Sequence, residues 1–301
     1  MIQQYIDPLT LSRVKDLPLI AKTVAQGFLH GLHNSTQRGS GVEFSQYRVY
    51  EPGDALGKID WKLFARSDKY FVREAERESD INVWLLLDTS NSMLQGASNT
   101  NNQMSWNKLD YGRYLLATLA YLAQQQGDAT GMLSLSNQHI DFLPARSGQP
   151  HLQKILLQLA RIKAGGEFPS SHGIQTQINS IGGHGLVFVV SDFYQKNQEI
   201  THMISSLVSP KTDVIAVQLE SDDEITFPYK GQIRFEDLES QQQLLVSAKR
   251  AKQHYLQNRA EFNQQLDAQM ERQKVQLLRA NIDKPLDQTL FDFLVARKQL
   301  A

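Results

Sequence analysis

The stretch LLLDTSNSM, residues 85–93, decides how this chain is read. A run of apolar residues, NVWLLL from Asn82, goes straight into Asp88, and Ser90 and Ser92 follow at alternate positions. Such a run bounded by polar turn residues predicts a buried strand. A second stretch of the same kind, LVFVVSD, ends in Asp192. In an open parallel sheet ligands bind just past the carboxyl ends of the strands, so two strand-end aspartates are expected to meet there. An aspartate and two hydroxyls can aim hard oxygens at one point, the donor set that Mg²⁺ accepts. The same letters also suit a plain junction, because Asp and Ser cap helices and close turns.

Outward from these strands the pattern alternates. A helix is predicted over Lys108–Gln126, a strand over Ala129–Ser136 with a hairpin partner at His139–Leu143, and a helix over Gln149–Ile162. A glycine-containing loop and short helix (Gly165–Ile181), the strand to Asp192, a helix (Glu199–Leu207) and the strand DVIAVQL come next. A long helix over about 241–273, a strand near Val275–Ala280 and a closing helix near Leu286–Leu300 complete the chain. In the long helix Leu245, Ala248, Tyr255, Leu256, Phe262, Leu266 and Met270 fall on one face, read as a core face, with the glutamines outward. Strands alternating with helices give an α/β fold, a doubly wound, mostly parallel sheet with helices on both faces, from residue 81 to 301.

Residues 1–80 read as a smaller module. A kinked helix pattern covers 10–33, with Pro18 inside it, and short strands and turns fill 42–80, including a type II turn at Pro52-Gly53. There Arg38, Arg48, Arg66 and Arg73 alternate with Glu43, Asp54, Asp60 and Glu74. The mixture suits a salt-bridged docking platform better than a grip on single-stranded nucleic acid. The polar segment 94–106 is expected to be a loop beside the metal face.

Composition excludes several classes. With 301 residues, 41% hydrophobic and 21% charged, the chain has ordinary globular character. Lys plus Arg number 31 against 32 Asp plus Glu, a net charge of -1 that provides no general attraction to nucleic acid or anionic membrane. The absence of cysteine excludes disulfides, thiolate zinc sites, iron–sulfur ligation and cysteine nucleophiles. No secretory signal is evident, and the longest apolar runs fall far short of the ~20 residues of a membrane span; a cytoplasmic protein is expected. GDALGKI (53–59) lacks the spacing of a phosphate loop, GGHG (182–185) precedes a strand, and neither Gly-x-Ser-x-Gly nor His-Glu-x-x-His occurs. His30 and His33 suit a helix surface, whereas His172 lies in a loop expected near the metal face.

The block RGSGVEFSQYRVYEPGDALGKIDWKLFARSDKYFVREAERE (38–78) is similar to the signature of the bacterial "domain of unknown function 58" family, in which it precedes a von Willebrand A-like domain. The resemblance continues through KLDYGRYLLATLAYLAQQQGD (108–128), LVFVVSDF (186–193) and NIDKPLDQTL (281–290), and DTSNS resembles the metal-ion-dependent adhesion site of von Willebrand factor A-type domains. That resemblance implies Mg²⁺ or Mn²⁺ held without catalysis, one coordination position being left for a partner's carboxylate. It places Asp88, Ser90 and Ser92 in the first metal loop and Asp192 at the later aspartate. Where such domains carry Gly-Gly-Thr, AGGEFPSSHGI (164–174) has Glu167, so the third oxygen would come from Glu167, Ser170 or Ser171. The implied function is non-enzymatic, metal-assisted protein–protein interaction, with a MoxR-type AAA+ ATPase as partner. The alternatives are a divalent-metal-dependent hydrolase, with Glu167 or His172 as base, and a structural module with a degenerate metal site.

Overall fold

The computed structural model describes residues 43–49, 66, 70–76, 81–96, 107–182, 184–195, 198–239, 242–286 and 289. The helix expected over 10–33, the Pro52-Gly53 turn, most of the 94–106 loop and most of the closing helix lie outside the described residues. Strands β1 (Glu43–Val49) and β2 (Phe71–Glu76) pair antiparallel, in keeping with the short strands expected in this region.

From residue 81 the chain builds one six-stranded sheet. Its strands are β3 (Asn82–Asp88), β4 (Ala129–Leu135), β5 (Ile140–Arg146), β6 (Gly185–Ser191), β7 (Thr212–Glu220) and, after the hairpin β8 (Gln232–Glu236) and β9 (Gln243–Ser247), β10 (Gln276–Asn281). The spatial order is β10-β7-β6-β3-β4-β5. All neighbours are parallel except β5, which lies antiparallel on the edge beside β4. The first strand of the domain therefore sits in the middle, and the chain leaves it toward β4 and later returns to its other side at β6. That reversal between β3 and β6 is the switch point where doubly wound sheets open a crevice at the strand carboxyl ends.

The period-two alternation of β3 divides the core. Val83, Leu85 and Leu87 face one layer, against α1 (Lys108–Gln125) and α2 (Gln149–Arg161). Trp84 and Leu86 face the other, with Ile174 and Ile178 of α3 (Ser171–Asn179), Ile200, Met203 and Ile204 of α4 (Glu199–Leu207), and Leu266 and Met270 of the long helix. A strand buried on both faces needs apolar residues at every position, which is why NVWLLL shows no polar alternation. Trp84 stacks on Phe142 with ring centroids 5.7 Å apart, and its ring covers Gly131 so closely that a β-carbon there would lie 2.4 Å from it. Gly131→Ala is accordingly expected to destabilise the domain by about 1–3 kcal/mol through overpacking. Chemical denaturation reads this directly, and an unchanged midpoint would mean that the Trp84 ring moves aside freely.

The helix starting at 241 is corrected. Residues 243–247 form β9, an edge hairpin strand paired with β8, and the helix proper is α6, Ala248–Arg272. Ser247 is its N-cap residue, a start signal that places the boundary seven residues later. Leu245 thereby leaves the proposed helix face and stands 67% exposed on the hairpin, whereas Ala248, Leu266 and Met270 are buried as expected. Between β7 and the hairpin lies a short helix, α5 (Asp222–Thr226), closed by a capping box between Ser221 and Glu224. No helix among the described residues is long and apolar enough to cross a membrane.

Candidate functional site at the switch point

Asp88 ends β3 and is 2% exposed. Its Oδ1 accepts the Ser90 amide at 2.9 Å, which turns the chain into the 3₁₀ turn Asn91–Leu94. Its Oδ2 accepts the hydroxyl of Ser191, the last residue of β6, at 2.6 Å, and the side-chain Nε2 of Gln195 at 3.4 Å. The two central strands are thus tied at their carboxyl ends through the aspartate itself. Ser90 and Ser92 hydroxyls lie 3.0 Å apart, as their alternate spacing predicts.

Asp192 follows β6 and is buried as well. The next residue, Phe193, takes φ +65°, a conformation that non-glycine side chains rarely adopt. Its buried ring and a bond from its amide to the Ser191 hydroxyl at 2.9 Å hold this turn. Burial, and then the charge of Asp192, raise the Asp88 carboxyl to about 7, against the bonds from Ser191 and Ser90 that favour its ionised form. The two strand-end aspartates predicted to meet are therefore electrostatic neighbours.

Lys108, the first residue of α1, is fully buried beneath this site. Its ammonium donates to Glu224 Oε1 at 2.8 Å, to Gln95 Oε1 at 2.8 Å and to Asp192 Oδ2 at 3.5 Å. Sequence reasoning missed it as a site residue. A signal existed: a lysine at the first position of a helix opposes the helix dipole, and so needs a local reason to be there.

The loop carrying the two glycines packs on the aspartate loop by backbone bonds. The Asn91 amide donates to the Gly166 carbonyl at 2.8 Å, and the Gly165 amide to the Thr89 carbonyl at 2.9 Å. Gly166 has φ +67°, and a β-carbon there would lie 1.9 Å from Asn137 Oδ1, so only glycine permits the approach. Glu167 comes next, exposed at the rim, with its backbone bound to Asn137. Ser170, also exposed, stands at the N-cap of α3 without a side-chain capping bond, and His172 is exposed in the first turn of that helix. A residue that sequence reasoning did not select, Glu239 in the β8–β9 turn, lies in the field of the site's carboxylates. Burial and then the charges of Glu167, Asp192, Asp88 and Asp237 push it up to about 7. Among the described residues no three His, Asp or Glu side chains close on a common metal position. The convergent donors are instead one ionisable carboxylate and two hydroxyls, with a second carboxylate partly neutralised by lysine.

This strand order, mostly parallel with helices on both faces and a switch point between β3 and β6, is a von Willebrand A-like fold. The chain belongs to the family described as protein of unknown function DUF58, whose family profile matches residues 46–272. It is similar to the uncharacterized protein Rv1480 of Mycobacterium tuberculosis, 24% identical over 237 residues, covering 78% of this chain and 72% of that protein. Among solved structures it is similar to the conserved hypothetical protein BatB from Bacteroides thetaiotaomicron, with 13% identity, 70% of this chain and 98% of that one covered, and a TM-score of 0.42. The SpRpn10 VWA domain is also similar, with 10% identity, 70% and 94% coverage and a TM-score of 0.39.

Proposed function

We propose that the protein is a non-enzymatic interaction module that holds Mg²⁺ or Mn²⁺ at Asp88, Ser90 and Ser92 and presents the ion to a carboxylate of a protein partner. The observation that carries this reading is Asp88: a fully buried carboxyl, anchored by Ser90 and Ser191, whose ionisation is opposed by burial and by Asp192. A divalent cation would relieve that opposition, and hydroxyls at 3.0 Å spacing supply neutral oxygens that leave it positive. Asp192, held by Lys108 and by the Tyr194 amide at 3.2 Å, would act on the ion's far side. Glu167 or Ser170, where the resemblance expects a third oxygen, would be its further donor. A MoxR-type AAA+ ATPase is the partner that the family resemblance suggests, in the bacterial cytoplasm.

Calorimetric titration of Mg²⁺ and Mn²⁺ into the protein tests the metal. Saturable binding and a concentration-dependent rise in melting temperature are expected, both lost in Asp88→Ala. Equal heats for the two proteins at millimolar metal would refute the assignment. Retention of the ATPase on immobilised protein in Mg²⁺ but not in chelator tests the partner.

One observation favours a second reading, a divalent-metal-dependent hydrolase. Glu239, pushed up to about 7 by burial and then by the charges of Glu167, Asp192, Asp88 and Asp237, would be the general base of such a site. Turnover of phosphate esters or nucleic acid that Glu239→Gln abolishes, with metal binding intact, would establish it.

A further inference from the structure

Beside the aspartate loop a cavity of about 770 Å³ opens, bordered by Ser92 and Asp192 at one end and by α6 and the β8–β9 hairpin at the other. Its walls are aromatic. Phe227 lies 5.0 Å from Tyr255 and 5.2 Å from Tyr229 between ring centroids, Tyr229 stands edge-on to Phe235 at 5.5 Å, and Tyr194 packs on Phe262 at 4.9 Å.

The charge around these rings is predominantly negative. Asp192, Asp223, Glu224 and Glu236 line the cavity against Arg259, and Arg259 is already bound to Glu220. Lys108, behind the wall, is engaged by Asp192 and Glu224. Among the described residues Asp223 has no cationic partner: the Tyr229 side chain hydrogen-bonds to its carboxylate, while its Oδ1 is shielded from solvent with no hydrogen bond. A buried carboxylate oxygen in this condition calls for a donor. The phenols report the same field. Tyr229 and Tyr255 are both raised, first by burial and then by neighbouring carboxylates, with Arg259 working against the rise at Tyr255 and the bond to Asp223 adding to it at Tyr229. The chain itself lays an ammonium on one of these rings: Lys108 Nζ is 5.4 Å from the Tyr194 centroid.

We infer that this cavity is a cage for a lysine or arginine side chain of a partner protein. An alkyl stem would lie among Phe227, Tyr229, Phe235 and Tyr255, with the charged head at Asp223. Aromatic faces and a carboxylate are the two features that select a cation carrying apolar surface over a neutral side chain. The volume admits such a side chain with its adjoining backbone. The inference rests on the reading of this end of the sheet as an interaction face, but it requires no metal.

The test is a titration of the full chain, with tyrosine rings isotopically labelled and chelator present, by N-acetyl-lysine methylamide and N-acetyl-arginine methylamide. The norleucine and glutamate methylamides and spermidine serve as comparisons. Saturable shifts of tyrosine ring resonances are expected with lysine or arginine, and norleucine should bind roughly tenfold more weakly. Asp223→Asn should weaken the cation roughly three- to tenfold and leave norleucine unchanged. If that variant melts early, Phe235→Leu replaces it, with loss of binding expected through removal of a ring. Norleucine or glutamate binding as well as the cations, spermidine alone binding, or no saturable shift with any probe would overturn the inference. Because chelator is present throughout, failure of the metal assignment leaves this outcome unaffected, and the converse also holds.

Discussion

Lys108→Met is expected to lower the stability of the domain by about 3–5 kcal/mol, the range found when one member of a buried ion pair is removed. Lys108 is wholly buried, and its ammonium joins Asp192 to Glu224. Methionine matches the stem but leaves two buried carboxylates facing each other without a cation. Glu224 is further committed on its other oxygen, which accepts the Ser221 amide at 2.8 Å in the capping box of α5. The loss therefore reaches α5 and the start of α1 together. Adding Glu224→Gln to Lys108→Met should recover part of the deficit, because it removes one of the stranded charges; the double-mutant cycle then isolates the coupling. Urea denaturation of the four proteins measures it. A Lys108→Met midpoint equal to wild type would mean that the lysine is dispensable to the fold.

The residues that could be read from sequence and those that could not differ in the range of their interactions. β3 and β6 were legible because each is an apolar run followed within two residues by an aspartate, a pattern contained within a short segment. The helix α1 was legible from its spacing, and Asp88 and Asp192 as residues at strand ends, although the register Leu87↔Val190 sets Ser191 rather than Asp192 beside Asp88. Lys108 and Glu224 are 116 positions apart, and nothing in either segment alone announces the other. The same is true of Ser191, whose hydroxyl serves Asp88 across 103 positions. Glu239 was hidden for a different reason. Reading a helix from 241 removed the β8–β9 hairpin, and with it the turn that carries Glu239. Leu245 encouraged that reading, since its apolar character fits the helix pattern, yet it stands exposed on an edge strand. The replacement of the expected threonine by Glu167 was visible at once. Its charge contributes to the rise of Glu239, a residue 72 positions away that its own segment does not announce.

Asp88→Asn is expected to stabilise the metal-free protein at neutral pH, by an amount approaching about 4 kcal/mol if the full penalty is relieved. In the unfolded chain this carboxyl titrates near 3.8, whereas in the fold burial and Asp192 move it to about 7. An acid whose folded value is raised binds its proton more tightly in the native state, so the native state is favoured when pH is low. Stability should then fall as pH rises from about 4 to about 7, and stay at the reduced level above that. Asparagine keeps an acceptor for the Ser90 amide and carries no charge, so this part of the pH dependence should vanish in the variant. Magnesium should act on the wild type in the same sense, because a bound cation favours the ionised carboxylate that burial disfavours. The wild-type profile is thus expected to flatten in millimolar Mg²⁺, whereas the Asp88→Asn profile stays where it was. Thermal melts of both proteins from pH 4 to pH 8, with chelator and with Mg²⁺, separate these contributions. Parallel profiles for the two proteins in chelator would show that Asp88 ionises at no cost to the fold, and would remove the electrostatic reason for a cation at this site.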